Sequence, residues 1–218
     1  MRTIRYVLAA SFFVVAATFH TLGAQVSARA ATPVPAVASA ALRLSAHETR
    51  DQIKVDGLLD EAAWRAADPA TGFVQSEPRT GEPATEPTEV RVLFDATTLY
   101  IGAYLHDREP GKLVVNDIKK DFREEEQDDF EVLLDTFHDR RNGYVFITNV
   151  EGARADRQVA SEGREINTSW DAVWTVKTRR VADGWVAELA IPFRALRFDA
   201  GKSQSWGINF ARRIRRKN

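Results

Sequence analysis

The sequence predicts an all-β protein: an antiparallel β-sandwich, jelly-roll or immunoglobulin-like, with one short N-terminal helix. Three observations lead there. Short stretches alternate apolar and polar residues with period two, the mark of strands with two unlike faces. Clusters of Gly, Pro, Asn and Asp separate these stretches at turn spacing. Helix formers gather in one place near the start of the folded part. The stretch 126–150 is the centre. Phe130, Val132 and Leu134 alternate with Glu131, Leu133 and Asp135, and Tyr144, Phe146 and Thr148 with Val145, Ile147 and Asn149. Between them a polar run ends in Asn142-Gly143, a pair suited to a hairpin turn.

Taken in order, residues 1–28 read as a secretory signal peptide. Arg2 and Arg5 precede an apolar run from Tyr6 to Phe19, and small residues follow at Gly23, Ala24, Ser27 and Ala28. The run is shorter than the ~20 residues that span a bilayer, which sets it apart from an uncleaved anchor. Residues 29–46 are Ala-rich with two prolines and no hydrophobic period, and are expected to be a flexible leader. The folded domain is then 47–218. Within it, 53–57 reads as a short strand running into a turn, and 58–67 as a helix stopped by Pro69, with Trp64 packing on the sheet. Residues 76–88 hold three prolines and form a loop.

Two strands follow, one carrying Val90, Val92 and Phe94, the other Leu99, Ile101, Ala103 and Leu105, with a tight turn at 95–98. After the central hairpin, 152–167 is polar and reads as a long excursion. Trp170, Ala172, Trp174 and Val176 alternate as a strand, Asp183-Gly184 turns, and Trp185, Ala187, Leu189 and Ile191 return. Residues 192–196 suit one helical turn opened by proline. Trp206, Ile208 and Phe210 begin a last strand, and the expectation is that the sandwich is truncated at its C-terminal end.

Composition narrows the chemistry. The chain has no cysteine and a formal charge of −1, so disulfides, thiolate metal sites and cysteine nucleophiles are excluded. Charge is nevertheless segregated: carboxylates crowd residues 121–135, and Arg212, Arg213, Arg215, Arg216 and Lys217 crowd the C-terminus. Export and the strand pattern argue against nucleic acid as the partner of that basic run. Nucleophile-elbow, zincin, phosphate-loop and dinucleotide signatures are missing. His47, His106 and His138 remain after the signal, at no ligand-like spacing. No carboxylate pair for glycoside hydrolysis is identifiable.

Two binding readings remain. Glu126, Asp128 and Asp129 offer hard oxygen ligands of the kind Ca²⁺ takes, though without an EF-hand loop, and a solvated acidic rim is the alternative. The five tryptophans are the second. A flat ring stacks on the apolar face of a sugar while carboxylates and amides bind hydroxyls. Trp174 and Trp185 are assigned to the core; Trp170, beside a loop, is expected to be exposed. The candidate carbohydrate-contacting residues are thus Trp170, Glu125 and Asp128.

These motifs together resemble family 9 carbohydrate-binding modules. The resemblance rests on Ile53, Asp56-Gly57, Asp60-Glu61 and Trp64; on Val90 to Asp95, Leu99-Tyr100-Ile101 and His106-Asp107; on Glu126-Gln127-Asp128 with Glu131 and Asp135; and on Gly184-Trp185, Glu188 and Ile191-Pro192. It spans roughly 50–211 and implies a glycan-binding antiparallel sandwich, with calcium in some members and frequent attachment to glycoside hydrolases. Phe193, Leu196-Arg197-Phe198 and 212–218 resemble the version at the front of large bacterial proteins with an outer-membrane β-barrel. That implies an exported periplasmic or cell-envelope protein engaged in carbohydrate catabolism, with an oligo- or polysaccharide and a C-terminal barrel as partners. The chain departs from the family at the sugar clamp: Glu125 stands where the characterised modules have tryptophan. Competing classes are a structural docking domain for the barrel, an accessory domain of a glycoside hydrolase, and a haem-bearing electron-transfer domain, for which His106 would be the ligand.

Overall fold

The computed structural model describes residues 43–199, 201 and 204–217. The expected signal peptide (1–28) and residues 29–42 of the expected leader (29–46) lie outside the described residues. In chain order the strands are β1 (His47–Glu48), β2 (Thr88–Phe94), β3 (Thr98–His106), β4 (Asp129–Asp135), β5 (Gly143–Asn149), β6 (Arg154–Ala160), β7 (Glu165–Asn167), β8 (Thr175–Val181), β9 (Gly184–Pro192) and β10 (Gly207–Arg213). They make two five-stranded sheets, ordered β1-β2-β3-β9-β8 and β10-β4-β5-β6-β7. The pairing is antiparallel except between β1 and β2, which run parallel.

The core between the sheets follows the period-two pattern. Val90, Val92, Ile101, Leu105, Trp185 and Leu189 from one sheet meet Phe130, Val132, Leu134, Phe146 and Phe210 from the other. Trp174 lies edge-on to Phe146 at 5.2 Å between ring centroids, and Phe210 stacks on Phe130 at 6.1 Å. Trp174 and Trp185 are both in this core. Apolar burial is the main term that holds such a two-layer fold together.

Four sequence expectations give way to specific polar contacts. The segment 53–57 is not a strand, because the Asp56 and Gly57 amides donate to the Glu188 carboxylate, at 2.9 and 3.0 Å, instead of entering a ladder. Helix α1 is Ala62–Ala66, five residues within the longer span expected to be helical. The excursion 152–167 in fact contains β6 and β7. Strand β6 escapes a hydrophobic reading because it buries Asp156, which accepts from Trp174 Nε1 at 2.9 Å and from Ala172 N at 3.2 Å. Those same bonds hold 170–174 out of the ladder, so β8 begins at Thr175 rather than at Trp170.

The outer face of the first sheet is closed by α1. Trp64 is 1% exposed and packs with Leu93 and Tyr100. It can come this close because Gly102 has no side chain: a Cβ there would lie 2.7 Å from Leu59 Cδ2 and 2.9 Å from Trp64 Cζ3. Beside it, Glu188 is fully buried. Burial disfavours its charged form and raises its pKa to about 7, against the two amide donors, which pull the other way.

Gly102→Ala is expected to cost about 1–3 kcal/mol through overpacking against Trp64. Urea unfolding reads this directly, and an unchanged midpoint would show that the indole has room to move. Glu188 gives a second prediction. Its raised pKa means the folded chain holds the proton more tightly than the unfolded chain does. Stability from this group is therefore complete below about pH 4.5 and declines as pH rises towards about 7. The loss is on the order of 3 kcal/mol. Glu188→Gln should flatten that slope, and a wild-type minus variant difference that stays constant from pH 4.5 to 8 would contradict it.

Candidate functional site

The two ends of the sandwich differ in chemistry. At the end where β3 finishes and β4 begins, charges are paired inward. Arg216 grips Asp107 with two nitrogens, at 2.7 and 2.6 Å. Lys217 Nζ lies 2.5 Å from Glu86 Oε1, Arg108 donates to Glu86 at 3.3 Å, and Arg213 pairs with Asp129. Asp107, Asp129 and Glu86 are almost wholly buried. Arg213, Arg216 and Lys217 of the basic C-terminal run are thus internal counterparts of buried acids. Burial pushes the Asp129 carboxyl well up from its usual range, with Arg213 opposing, and raises Asp128 as well.

The other end carries the openings. A hollow of about 320 Å³ is lined by Thr136, Phe137, Asn142, Tyr144, Gln158 and Arg197, among others. Its rim is the loop 136–142 between β4 and β5. His138 and Arg140 there take positive φ, 53° and 57°, a region costly for residues with a side chain. Two carboxylates hold it: Asp135 accepts from Asp139 N (3.1 Å) and Arg140 N (2.7 Å), and Asp139 from Arg141 N (2.7 Å) and Asn142 N (2.9 Å). The donors from Asn142 and Arg141 hold the Asp139 carboxyl below its usual range. Gly143 does not supply the positive φ that its Asn-Gly setting suggested. It is glycine because a Cβ would sit 2.7 Å from the Leu134 carbonyl oxygen.

The loop displays Phe137, 43% exposed. Tyr144 is buried, and its hydroxyl accepts from Arg197 N at 3.1 Å, which leaves the hydroxyl hydrogen for another acceptor. Trp170 packs on Tyr144 at 5.0 Å and on Phe146 at 6.0 Å. A second, shallower hollow of about 500 Å³ lies at the same end, lined by Thr97, Thr98, Pro192, Phe193 and Arg194. Phe193, Phe198 and Trp206 form a half-buried cluster there, with ring centroids 5.3 to 6.1 Å apart. The first hollow is the better candidate, since aromatic and polar side chains converge in it.

The structure scatters the residues singled out from sequence. Trp170 is half-buried rather than free in solvent, because Tyr144 and Phe146 take its faces. Glu125 is exposed in a 3₁₀ turn, Glu124–Glu126. Asp128 is 2% exposed and is used internally, accepting from Val114 N at 2.8 Å and Arg215 N at 2.5 Å. It lies the length of β4 from the strand end that carries Trp170, roughly 17–20 Å. The expected calcium set does not converge either. Glu126 points to Arg123 at 3.1 Å, Asp128 is held by those amides and Asp129 by Arg213. Among the described residues no group of three or more His, Asp or Glu side chains is placed to hold a metal ion. The acidic stretch divides: Asp128, Asp129 and Asp135 are buried, while Asp121, Glu125 and Glu126 are exposed to solvent.

Sequence reasoning missed Phe137, Asn142, Gln158 and Arg197. Phe137 carried a signal, an aromatic stranded in a polar turn. Gln158 sat in the stretch read as an excursion, and Arg197 is distant in sequence.

The chain is a two-sheet sandwich, sealed by ion pairs at one end and open through loops at the other. The chain belongs to the carbohydrate family 9 binding domain-like family, whose model matches residues 55–214; this is a family of non-catalytic carbohydrate-binding modules. Among solved structures the chain is similar to a family 9 carbohydrate-binding module from Caldicellulosiruptor kristjanssonii in complex with cellotriose. The identity is 16% over 77% of this chain and 82% of that one, with a TM-score of 0.53. A complex of a family 9 module from the same organism with glucose gives 14% identity, 78% and 83% coverage and a TM-score of 0.50. A protein from Bacteroides uniformis gives 12% identity, 77% and 81% coverage and a TM-score of 0.57. At these identities the likeness is one of fold. No curated protein matches the chain.

Asp135→Ala removes the acceptor for two amides of the 136–142 loop. The expected cost is about 1–3 kcal/mol, with faster hydrogen exchange at Asp139 and Arg140; protection unchanged at both amides would show that the loop stands without it.

Proposed function

We propose that this protein is a non-catalytic carbohydrate-binding domain of an exported bacterial protein that serves carbohydrate catabolism. Membership of the family 9 binding domain-like family over residues 55–214 carries the reading. The open end supports it, because the hollow brings an exposed aromatic ring together with amide, hydroxyl and guanidinium groups. Sugar rings are recognised by that mixture: C–H faces against an aromatic ring, hydroxyls against amides and guanidinium. Trp170, packed on Tyr144, backs this site rather than clamping the sugar.

Export to the periplasm or cell envelope is part of the proposal, supported by the basic-then-apolar pattern of residues 1–28. A C-terminal outer-membrane β-barrel as partner rests on the sequence resemblance around Phe193 to Phe198 and 212–218.

Isothermal titration calorimetry with cellotriose, xylotriose and an acidic trisaccharide tests the binding. Saturable heat with at least one is the expected outcome, with Kd in the micromolar to millimolar range, about −4 to −8 kcal/mol. Phe137→Ala should weaken it about ten-fold or less, in line with a contact of about 0.5–1.5 kcal/mol. Heat indistinguishable from dilution for all three would overturn the proposal, and release of reducing ends would overturn its non-catalytic part.

A further inference from the structure

The arginines at the two ends of the sandwich are used differently. At the closed end Arg108, Arg213 and Arg216 each meet a carboxylate within the fold. At the open end Arg140, Arg141, Arg194 and Arg197 are exposed, and among the described residues their guanidinium groups meet none. The acids nearby form no ion pair with them, although Asp139 and Arg141 attract each other at longer range. Asp135 and Asp139 are turned onto the backbone amides of their own loop. Glu162 faces Arg164 at 3.5 Å, and Glu165 takes the Ser161 hydroxyl at 2.9 Å. Asp199 is a further exposed acid at this end, and among the described residues no carboxylate stands at ion-pair distance from the four guanidinium groups.

One of the four, Arg197, lines the hollow itself, and Arg141 is next in sequence to Asn142, which also lines it. Gln158 lines the same hollow, half-buried, with its amide taken by no other described residue. The Tyr144 hydroxyl, with its hydrogen free to donate, completes the polar wall, and Phe137 the apolar one. A neutral sugar needs the ring and the amide. One guanidinium can also serve its hydroxyls, but four around one opening are more than a neutral ring uses. A planar fork of N–H donors fits a carboxylate with two parallel bonds, which an ammonium or a hydroxyl cannot reproduce.

We infer that the open end selects acidic glycans, with Arg197 pairing with the carboxylate of a uronic-acid residue whose ring lies against Phe137 and whose hydroxyls meet Gln158. This inference rests on the carbohydrate-binding reading and names the substrate class for it.

The test is calorimetry on the full chain with tri-galacturonate against cellotriose and xylotriose, for the wild type, Arg197→Ala, and Arg179→Ala as a control on the exposed β8 surface. The wild type is expected to bind the uronate about ten-fold or more tighter than either neutral trisaccharide. That preference should vanish in Arg197→Ala, with neutral-sugar affinity retained as proof of folding, and survive in Arg179→Ala. It should also shrink as salt rises from about 0.05 to 0.3 M. Equal or tighter binding of the neutral sugars overturns the inference while leaving carbohydrate binding intact. An equal loss in both arginine variants also overturns it, since general charge would then suffice. No heat from any of the three sugars removes the inference and the carbohydrate reading together.

Discussion

The contact on which the difference between the two ends depends is the bidentate pair between Arg216 and Asp107. Asp107 follows β3 in one sheet, and Arg216 follows β10 in the other, so this pair ties the two layers across one end. Around it Glu86 gathers Lys217 and Arg108, and Asp129 holds Arg213. Burying such groups is expensive, and close opposite charges are what make it tolerable. Their worth lies less in net stability than in fixing which end of the sandwich is shut: removing one partner would leave a buried charge uncompensated.

With that end shut, the other is free to carry loops. The 136–142 loop keeps two residues at positive φ because Asp135 and Asp139 accept its amides. Their oxygens are thereby turned onto amides rather than into ion pairs with Arg140 and Arg141. Strand termination and loop conformation at the hollow are two results of one set of hydrogen bonds.

Much of this was legible in the sequence, and the exceptions have a common cause. The β2–β3, β4–β5 and β8–β9 hairpins are written in period-two alternation and turn residues, and so is the assignment of Trp174 and Trp185 to the core. What stayed hidden depends on buried polar groups meeting at long sequence separation. Asp156 captures Trp174 and so displaces the start of β8; Glu188 captures Asp56 and Gly57 and so prevents a strand; Arg213 captures Asp129 and so dissolves an apparent metal cluster. A local pattern cannot reveal a partner some eighty residues away. The hollow was missed for the same reason, since Phe137, Gln158 and Arg197 come together only through the β4–β5–β6 register and the turn after β9.

The margins of the two sheets have a further consequence. Strand β1 has two residues and β7 three, and β8 points Lys177, Arg179 and Arg180 into solvent. Short or positively charged borders make poor templates for another chain's backbone. Three of the four borders therefore resist edge-to-edge pairing between copies, and the seven-residue β10 is the border left long.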